Sequence, residues 1–559
     1  MKKIFLGLLA LGTLLMSSCY EDKGNYSYNF DSINNVDTIS FTPEAYSSFN
    51  GWTIDYIKSG EADTITERIT VNPTFSSPEQ AGEMDYYWYR RYTWNGTNRS
   101  DTLNTPGYMD VLIPNNGDVT YNVILEIRDR ITDISYFTNL TVRTREWYTN
   151  SLFVLHGNSA TNMRLGNVEI LGEEPTITLD AFERVNTDPT LHEPFRNARV
   201  LSFRVYASKR SSELIVFKTD ATAEVYNPFG LKRLQDTYYV MPPTSGTADL
   251  FVPRSIINLS PSGSQRFRAV TSNDGRFYIS SDFFRFYEPG ADTENANHLT
   301  TDQYNVHVGT MTSEYYVFWD EQNGRFIHNS LGGNNFPWSE DSAREDAVLS
   351  SPVLDSHVNS DILKALKGMQ PVYAYVNNFN YYQSANEARF IFYDPATQRN
   401  LICSLVQSDG KDGKSAKDDE SDASSPFEAD TISMPNIHLE PGTPIVYQGA
   451  YALDFFFYAD GSTVYRYNIQ NGDQEIIYEA PAGYDISILK FKQNEDYLYW
   501  GNLYRYLNIG MNRGNEGAVA EIKLTAAGDV DTEYEQQLYE GFDNIVDLQF
   551  CNELQYNVE

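Results

Sequence analysis

The sequence predicts an all-β protein, an N-terminal β-sandwich followed by a degenerate β-propeller of six to eight blades. Three observations carry this expectation. Tyr and Phe number 41 and 31 in 559 residues, against 10 Met, and such residues suit half-buried pleated surfaces better than helices. Short alternating or wholly apolar runs recur along the chain, separated by Asn, Asp and Gly, with scarcely a helical period among them. Several runs are joined by Asp-Gly or Asn-Gly, which supply the positive φ angles that tight hairpins demand.

The chain opens with Lys2 and Lys3, then an apolar run from Ile4 to Met16, then Ser17, Ser18 and Cys19. The run is too short for a permanent membrane helix, and its order is that of an export signal. It resembles the bacterial lipoprotein signal, with Met16 where that pattern prefers Leu. The resemblance implies cleavage after Ser18, acyl chains on Cys19 as the only membrane attachment, and a polar tether over residues 19–36. The acidic start Tyr20-Glu21-Asp22 resembles the surface-export signal of Bacteroidota lipoproteins, which implies an outer-membrane anchor facing the cell exterior.

Residues 37–145 form the expected sandwich. Its strands are read at Ile65 to Val71, Asp85 to Tyr92, Tyr108 to Ile113, Thr120 to Ile127 and Ile134 to Val142, with a turn cluster at Asn115 to Asp118. Strands at this spacing without helices between them suit two packed sheets. In Tyr86-Tyr87-Trp88-Tyr89, alternation places Tyr86 and Trp88 on one face and Tyr87 and Tyr89 on the other. Trp88 reads as the large core residue of a central strand, with an aromatic binding platform as the sharper alternative.

The opening Cys19-Tyr-Glu-Asp-Lys-Gly-Asn-Tyr26, the Tyr86-Tyr-Trp-Tyr89 strand, the run Ile127-Arg-Asp129-Arg-Ile-Thr132 and the Trp-led strand near Trp147 follow one another in the order of a known family. Over roughly residues 19–157 the chain is similar to the PKD-like lipoproteins of Bacteroidota, with Ile127 in place of Val. That resemblance implies a PKD/Ig-like sandwich. It also implies an accessory subunit of a SusC/SusD-type outer-membrane importer that helps capture oligopeptides or glycans beside other surface lipoproteins. The alternatives are a surface hydrolase with a carboxylate pair in the propeller channel and a purely structural scaffold of the importer.

From 146 to 559 the pattern becomes a series of hairpins. Leu152 to Leu155 and Leu214 to Phe217 are arms. Arg268 to Val270 turns at Asn273-Asp-Gly275, Tyr315 to Trp319 at Asn323-Gly324, and Phe455 to Tyr458 at Asp460-Gly461. Phe390 to Tyr393 returns as Leu401 to Leu405, and Tyr497 to Trp500 opens a last unit ending near Ile545 to Phe550. Hairpins recurring every few tens of residues suggest propeller blades, with stacked sandwiches as the competing architecture. Loops are expected to swell around 285–305 and 330–370, and Ser360 to Lys367 is the best short helix. Residues 408–430, charged and poor in apolar residues, read as a flexible acidic loop. Asp409 and Glu420 have the outer spacing of a calcium loop, but Lys411, Gly413 and Ala416 replace ligand-bearing positions.

The formal charge is −34, and −36 once Lys2 and Lys3 leave with the signal. Such a field repels phosphate backbones, so no nucleic-acid partner is expected. The seven histidines form no His-x-x-x-His or His-Glu-x-x-His pattern, and no Gly-x-Ser-x-Gly elbow or phosphate-cradling glycine loop occurs. No catalytic residue, metal ligand or cofactor is assigned, and the ligand-binding residues are left open. Cys403 and Cys551, the cysteines beyond Cys19, are open to a disulfide in an exported protein.

Overall fold

The computed structural model describes residues 34–48, 51–57, 64–94, 97–114, 119–169, 175–186, 195–206, 211–219, 223–234, 253–258, 268–280, 304–311, 315–330, 353–355, 360–377, 387–407, 427–447, 454–492, 505–525 and 527–552. The chain divides into two compact units, at Met1–Arg145 and Glu146–Glu559. Cys19, the turn at 115–118, the strand expected at Tyr497 to Trp500 and the calcium-like spacing of Asp409 and Glu420 lie outside the described residues. No helix among the described residues is long and apolar enough to cross a membrane.

The first unit is a β-sandwich of β1 (Val36–Thr42), β2 (Tyr46–Ser48), β3 (Gly51–Ile57), β4 (Thr64–Phe75), β5 (Met84–Trp94), β6 (Thr97–Asn104), β7 (Tyr108–Pro114), β8 (Thr120–Asp129) and β9 (Ser135–Arg145). One sheet has the order β1-β4-β7 and the other β2-β3-β9-β8-β5-β6. The N-terminal strands are shared between the two sheets: β1 pairs antiparallel with β4, whereas β3 runs parallel to β9. Trp88 is fully buried on β5, and its indole N–H donates to the Pro106 carbonyl at 2.9 Å. Packed around it are Phe41, Ile69, Val111, Leu125 and Val142 from both sheets. A buried Trp on a central strand of such a sandwich is the immunoglobulin-like arrangement.

The Asp129-x-x-Thr132 motif acquires a physical reason here. Asp129 is buried, and its carboxylate accepts from the Ile131 amide and the Thr132 hydroxyl, both at 2.8 Å. It thereby closes the turn between β8 and β9. The expected tether, 19–36, overlaps the sandwich by its last three residues. Asn34 is buried, and its side chain accepts from the Ser77 amide at 2.7 Å and donates to the Ser77 carbonyl at 3.0 Å. A polar residue stitched into the sandwich looks like tether in sequence because its partners lie 43 positions away.

The second unit holds seven antiparallel sheets among the described residues, and their order makes them propeller blades. From the inner strand outward, blade two is Ala198–Tyr206, Ser211–Lys218, Ala223–Asn227 and Lys232–Arg233. Blade three shows Pro253–Asn258, Arg268–Ser272 and Phe277–Ser280. Blade four is Val306–Met311, Tyr315–Asp320, Arg325–Ser330 and Val353–Asp355. Blade five is Gln370–Asn377, Glu387–Asp394, Arg399–Gln407 and Phe427–Met434. Blade six is Ile445–Tyr447, Phe455–Asp460, Thr463–Asn468 and Gln474–Glu479, and blade seven is Asp485–Phe491, Tyr506–Arg513, Glu516–Lys523 and Gln537–Phe542.

Blade one corrects the sequence reading. Ile545–Asn552, expected to finish the last unit, instead pairs with Asn150–His156 and forms the inner strand of a sheet continued by Arg164–Glu169 and Thr176–Thr178. The chain's end thus closes the ring on its own first blade. Hairpin signals are local, whereas this pairing joins residues almost 400 positions apart and leaves no turn to read.

Second strands are continuous apolar runs because neighbouring blades cover both of their faces. Phe153 and Leu155 pack with Leu201 and Phe203 of blade two, while Leu152 and Val154 pack with Val519 and Tyr539 of blade seven. The hairpin of blade four shows how a turn is secured. Asp320 is buried and accepts from the Asn305 amide (3.0 Å), the Asn323 amide group (2.7 Å) and Arg325 Nε (2.8 Å). Gly324 follows at φ +62°, the left-handed region the turn requires.

Two further boundaries move. Residues 427–430, assigned to the acidic loop, begin the outer strand of blade five, where Phe427 is buried and Glu428 pairs opposite Val406. Within the region 330–370, Val353–Asp355 is the outer strand of blade four, and the helix expected at Ser360 to Lys367 is present over Ser360–Leu366. Cys403 and Cys551 are both buried, and no disulfide joins them.

Candidate functional site

Two kinds of polar feature stand out: buried charge networks in the propeller, and an exposed aromatic face on the sandwich. The networks are built for cohesion. Glu387 Oε1 accepts from Arg389 Nε at 2.7 Å and from the Ser404 hydroxyl, while Oε2 accepts from the Asn377 amide group at 2.6 Å. Arg389 continues to Asp454 of blade six, and the Tyr447 hydroxyl donates to Asn377 at 2.8 Å. Burial opposes ionisation of Glu387, but the hydrogen bonds from Arg389, Ser404 and Asn377 outweigh it and hold the carboxyl below its ordinary range. A general acid needs the opposite shift, so this carboxylate is a tie between blades five and six.

A second network locks the ring. His156 is fully buried. Its Nδ1 accepts from the Asp543 amide at 3.1 Å, so Nε2 carries the proton that is donated to the Leu179 carbonyl at 2.9 Å. Burial pushes the imidazole below its ordinary value. Arg164 bridges Asp543 and Asp180 beside it. Further inward, Asp547 accepts from Leu201 N of blade two at 2.7 Å and pairs with Lys490 of blade seven at 2.6 Å. Burial also raises the Cys403 thiol to about 12, which leaves it without thiolate at neutral pH. Among the described residues no group of three or more His, Cys, Asp and Glu could hold a metal ion.

The sandwich face differs because its carboxylate, Glu126, forms no ion pair among the described residues. On β5, Tyr87 and Tyr89 point away from the core with their rings nearly parallel, 6.3 Å apart at 16°. The strand register sets Glu126 of β8 opposite Tyr87, and Phe137 of β9 opposite Glu126. Phe137 is 63% exposed. The Glu126 carboxylate accepts from the Tyr89 and Ser135 hydroxyls, which fix its two oxygens. That hydrogen bond, with burial second, pushes the Tyr89 phenol up to about 12. Nearby Arg128 is committed to Asp133, and Arg130 to Asp85.

Sequence alternation separates Trp88 from Tyr87 and Tyr89, and the structure places them accordingly. Glu126 and Phe137 escape the sequence reading, although the same parity marks them. Val123, Leu125 and Ile127 face inward, which puts Glu126 outward. Leu140 and Val142 do the same for Phe137. What alternation cannot supply is the register that brings the two to one row.

The chain is thus of the all-β class, an immunoglobulin-like sandwich followed by a propeller with seven blades among the described residues. Residues 19–194 match the model of the PKD-like family. The match thus runs past residue 157, over the second to fourth strands of blade one and the short helix Ala181–Val185. No curated protein sequence matches the chain. Among solved structures, it is similar to a quinoprotein alcohol dehydrogenase-like protein from Bacteroides thetaiotaomicron, with 11% identity over 89% of this chain and 96% of that one, and a TM-score of 0.40. The β-propeller domain of Vanderwaltozyma polyspora Nup133 aligns over 70% and 93% at 8% identity and TM-score 0.35. Apo AztD from Citrobacter koseri aligns over 84% and 98% at 7% identity and TM-score 0.34.

Proposed function

We propose that the protein is a surface lipoprotein anchored through Cys19, and that it serves a SusC/SusD-type importer as an accessory subunit that captures oligopeptides or glycans without chemical turnover. The observation that carries the binding role is the contrast in the use of charge. The buried networks around Glu387, Asp547 and Asp320 are matched by cations within the fold, whereas the Tyr87–Glu126–Phe137 row presents rings and a carboxylate that has no ion pair among the described residues. Stacking surfaces of this kind suit sugars and peptides alike. The PKD-like match over residues 19–194 and the signal-like start through Cys19 support the importer setting.

Incubation of the soluble chain with peptide and oligosaccharide pools tests capture against turnover. The reading expects ligands retained by the protein and recovered chemically unchanged. Cleaved products formed in proportion to protein would replace the binding role by a hydrolase.

A further inference from the structure

We propose that the outer face of β5, β8 and β9 seats the cationic side chain of a Lys- or Arg-bearing oligopeptide, between the rings of Tyr87 and Phe137 and above Glu126. This rests on the binding role just proposed and narrows its ligand to basic peptide. The three residues lie in one cross-strand row, Tyr87 opposite Glu126 and Glu126 opposite Phe137. Neighbouring strands stand about 4.8 Å apart, so the two ring-bearing positions are about 10 Å apart with the carboxylate between them. A cation placed midway is then about 5 Å from each of the two ring-bearing positions, within reach of both aromatic side chains.

Charge decides the occupant. Tyr89 and Ser135 each donate a hydrogen bond to Glu126, but neither neutralises it. Among the described residues Arg128 pairs with Asp133 and Arg130 with Asp85; Arg128 also acts on Glu126 and Tyr87 electrostatically from a distance, but no cation lies within ion-pair distance of Glu126. The two hydroxyls fix the carboxylate before any ligand arrives, which lowers the ordering cost of binding. A neutral sugar would stack on the rings and gain nothing from the charge. A cationic side chain gains from both, and its aliphatic stem covers Phe137, which is 63% exposed.

The test uses the full chain from residue 20 and three probes: an acetylated, amidated Gly-Gly-Lys-Gly-Gly peptide, its norleucine counterpart, and a neutral oligosaccharide. Glu126→Gln and Glu79→Gln change the net charge equally, and Glu79 is an exposed residue away from this row. Calorimetric titration should show the Lys peptide binding at least tenfold more tightly than the norleucine peptide. Glu126→Gln should abolish that difference and Glu79→Gln should preserve it. Phe137→Leu, which keeps apolar bulk but removes the ring, should weaken the Lys peptide by about two- to fivefold. Equal losses in the two glutamine variants would mean diffuse attraction to an acidic protein and overturn the proposal. So would a preference for norleucine or the sugar, or no binding of the Lys peptide by protein whose melting is unchanged. Such a failure leaves association with an importer untouched, because that is read separately by co-purification.

Discussion

Asp547→Ala should destabilise the propeller by breaking the junction of blades seven, one and two. The carboxylate is almost fully buried and accepts from Leu201 N at 2.7 Å, Leu548 N at 2.9 Å and Lys490 Nζ at 2.6 Å. Truncation strands the Leu201 amide in the interior, at about 1–3 kcal/mol, and removes the hydrogen bond to Leu548, worth about 1 kcal/mol. The Lys490 pair adds less than a buried pair would, because Lys490 is about one-third exposed and keeps the Leu548 carbonyl as a partner. The total is about 3 kcal/mol. Unfolding entropy of about 2.1 cal/mol/K per residue over roughly 400 residues makes this a fall of about 3–4 °C in the propeller's midpoint. Differential scanning calorimetry of the soluble chain reads it, with the sandwich transition as internal reference. An unchanged propeller transition, or an equal shift of both, would refute the claim that Asp547 closes the ring.

Two further predictions follow from the buried networks. Because burial holds the folded His156 imidazole below its ordinary value, the unfolded chain takes up the proton first. The stability conferred by neutral His156 is therefore complete above about pH 6.5 and declines as pH falls through the folded value. Arg164, Asp543 and Asp180 face the ring. His156→Gln should flatten the propeller's stability between pH 7 and 5 in urea titrations, and an unaltered slope would contradict the assignment. Arg389→Met should cost about 3–5 kcal/mol by leaving Glu387 buried without its cation, and adding Glu387→Gln should recover much of that loss; additive losses would show that the two do not act as a pair.

Much of this architecture can be read from the chain, and what cannot has a common cause. Strands with strict alternation, such as β7 and β8, or with unbroken apolar runs, such as Leu214 to Phe217, announce themselves because burial on one or both faces dictates their composition. β1 hides because its register shifts between Val36 and Thr38, which breaks the alternation. The closing strand Ile545–Asn552 is visible as a strand, yet its partner is not, since no turn connects it to Asn150–His156. The same holds for the candidate site. Tyr87 and Tyr89 are recognisable as outward rings, but Glu126 joins Phe137 in one row only through the pairing of β8 with β9. Non-local register is the information that local pattern omits.

Co-purification from native membranes reads the proposed association with an importer without intermediates. The full-length protein, solubilised in mild detergent that keeps outer-membrane importers intact, should carry a SusC/SusD-type importer with it at near-constant ratio. A form lacking residues 408–426, which hold the charged run from Asp409 to Glu420, should do the same, since like charges across an interface are repulsive and this segment is expected to stay out of the contact. A protein that runs alone under those conditions, at every salt concentration that preserves the importer, would contradict the proposed accessory-subunit role.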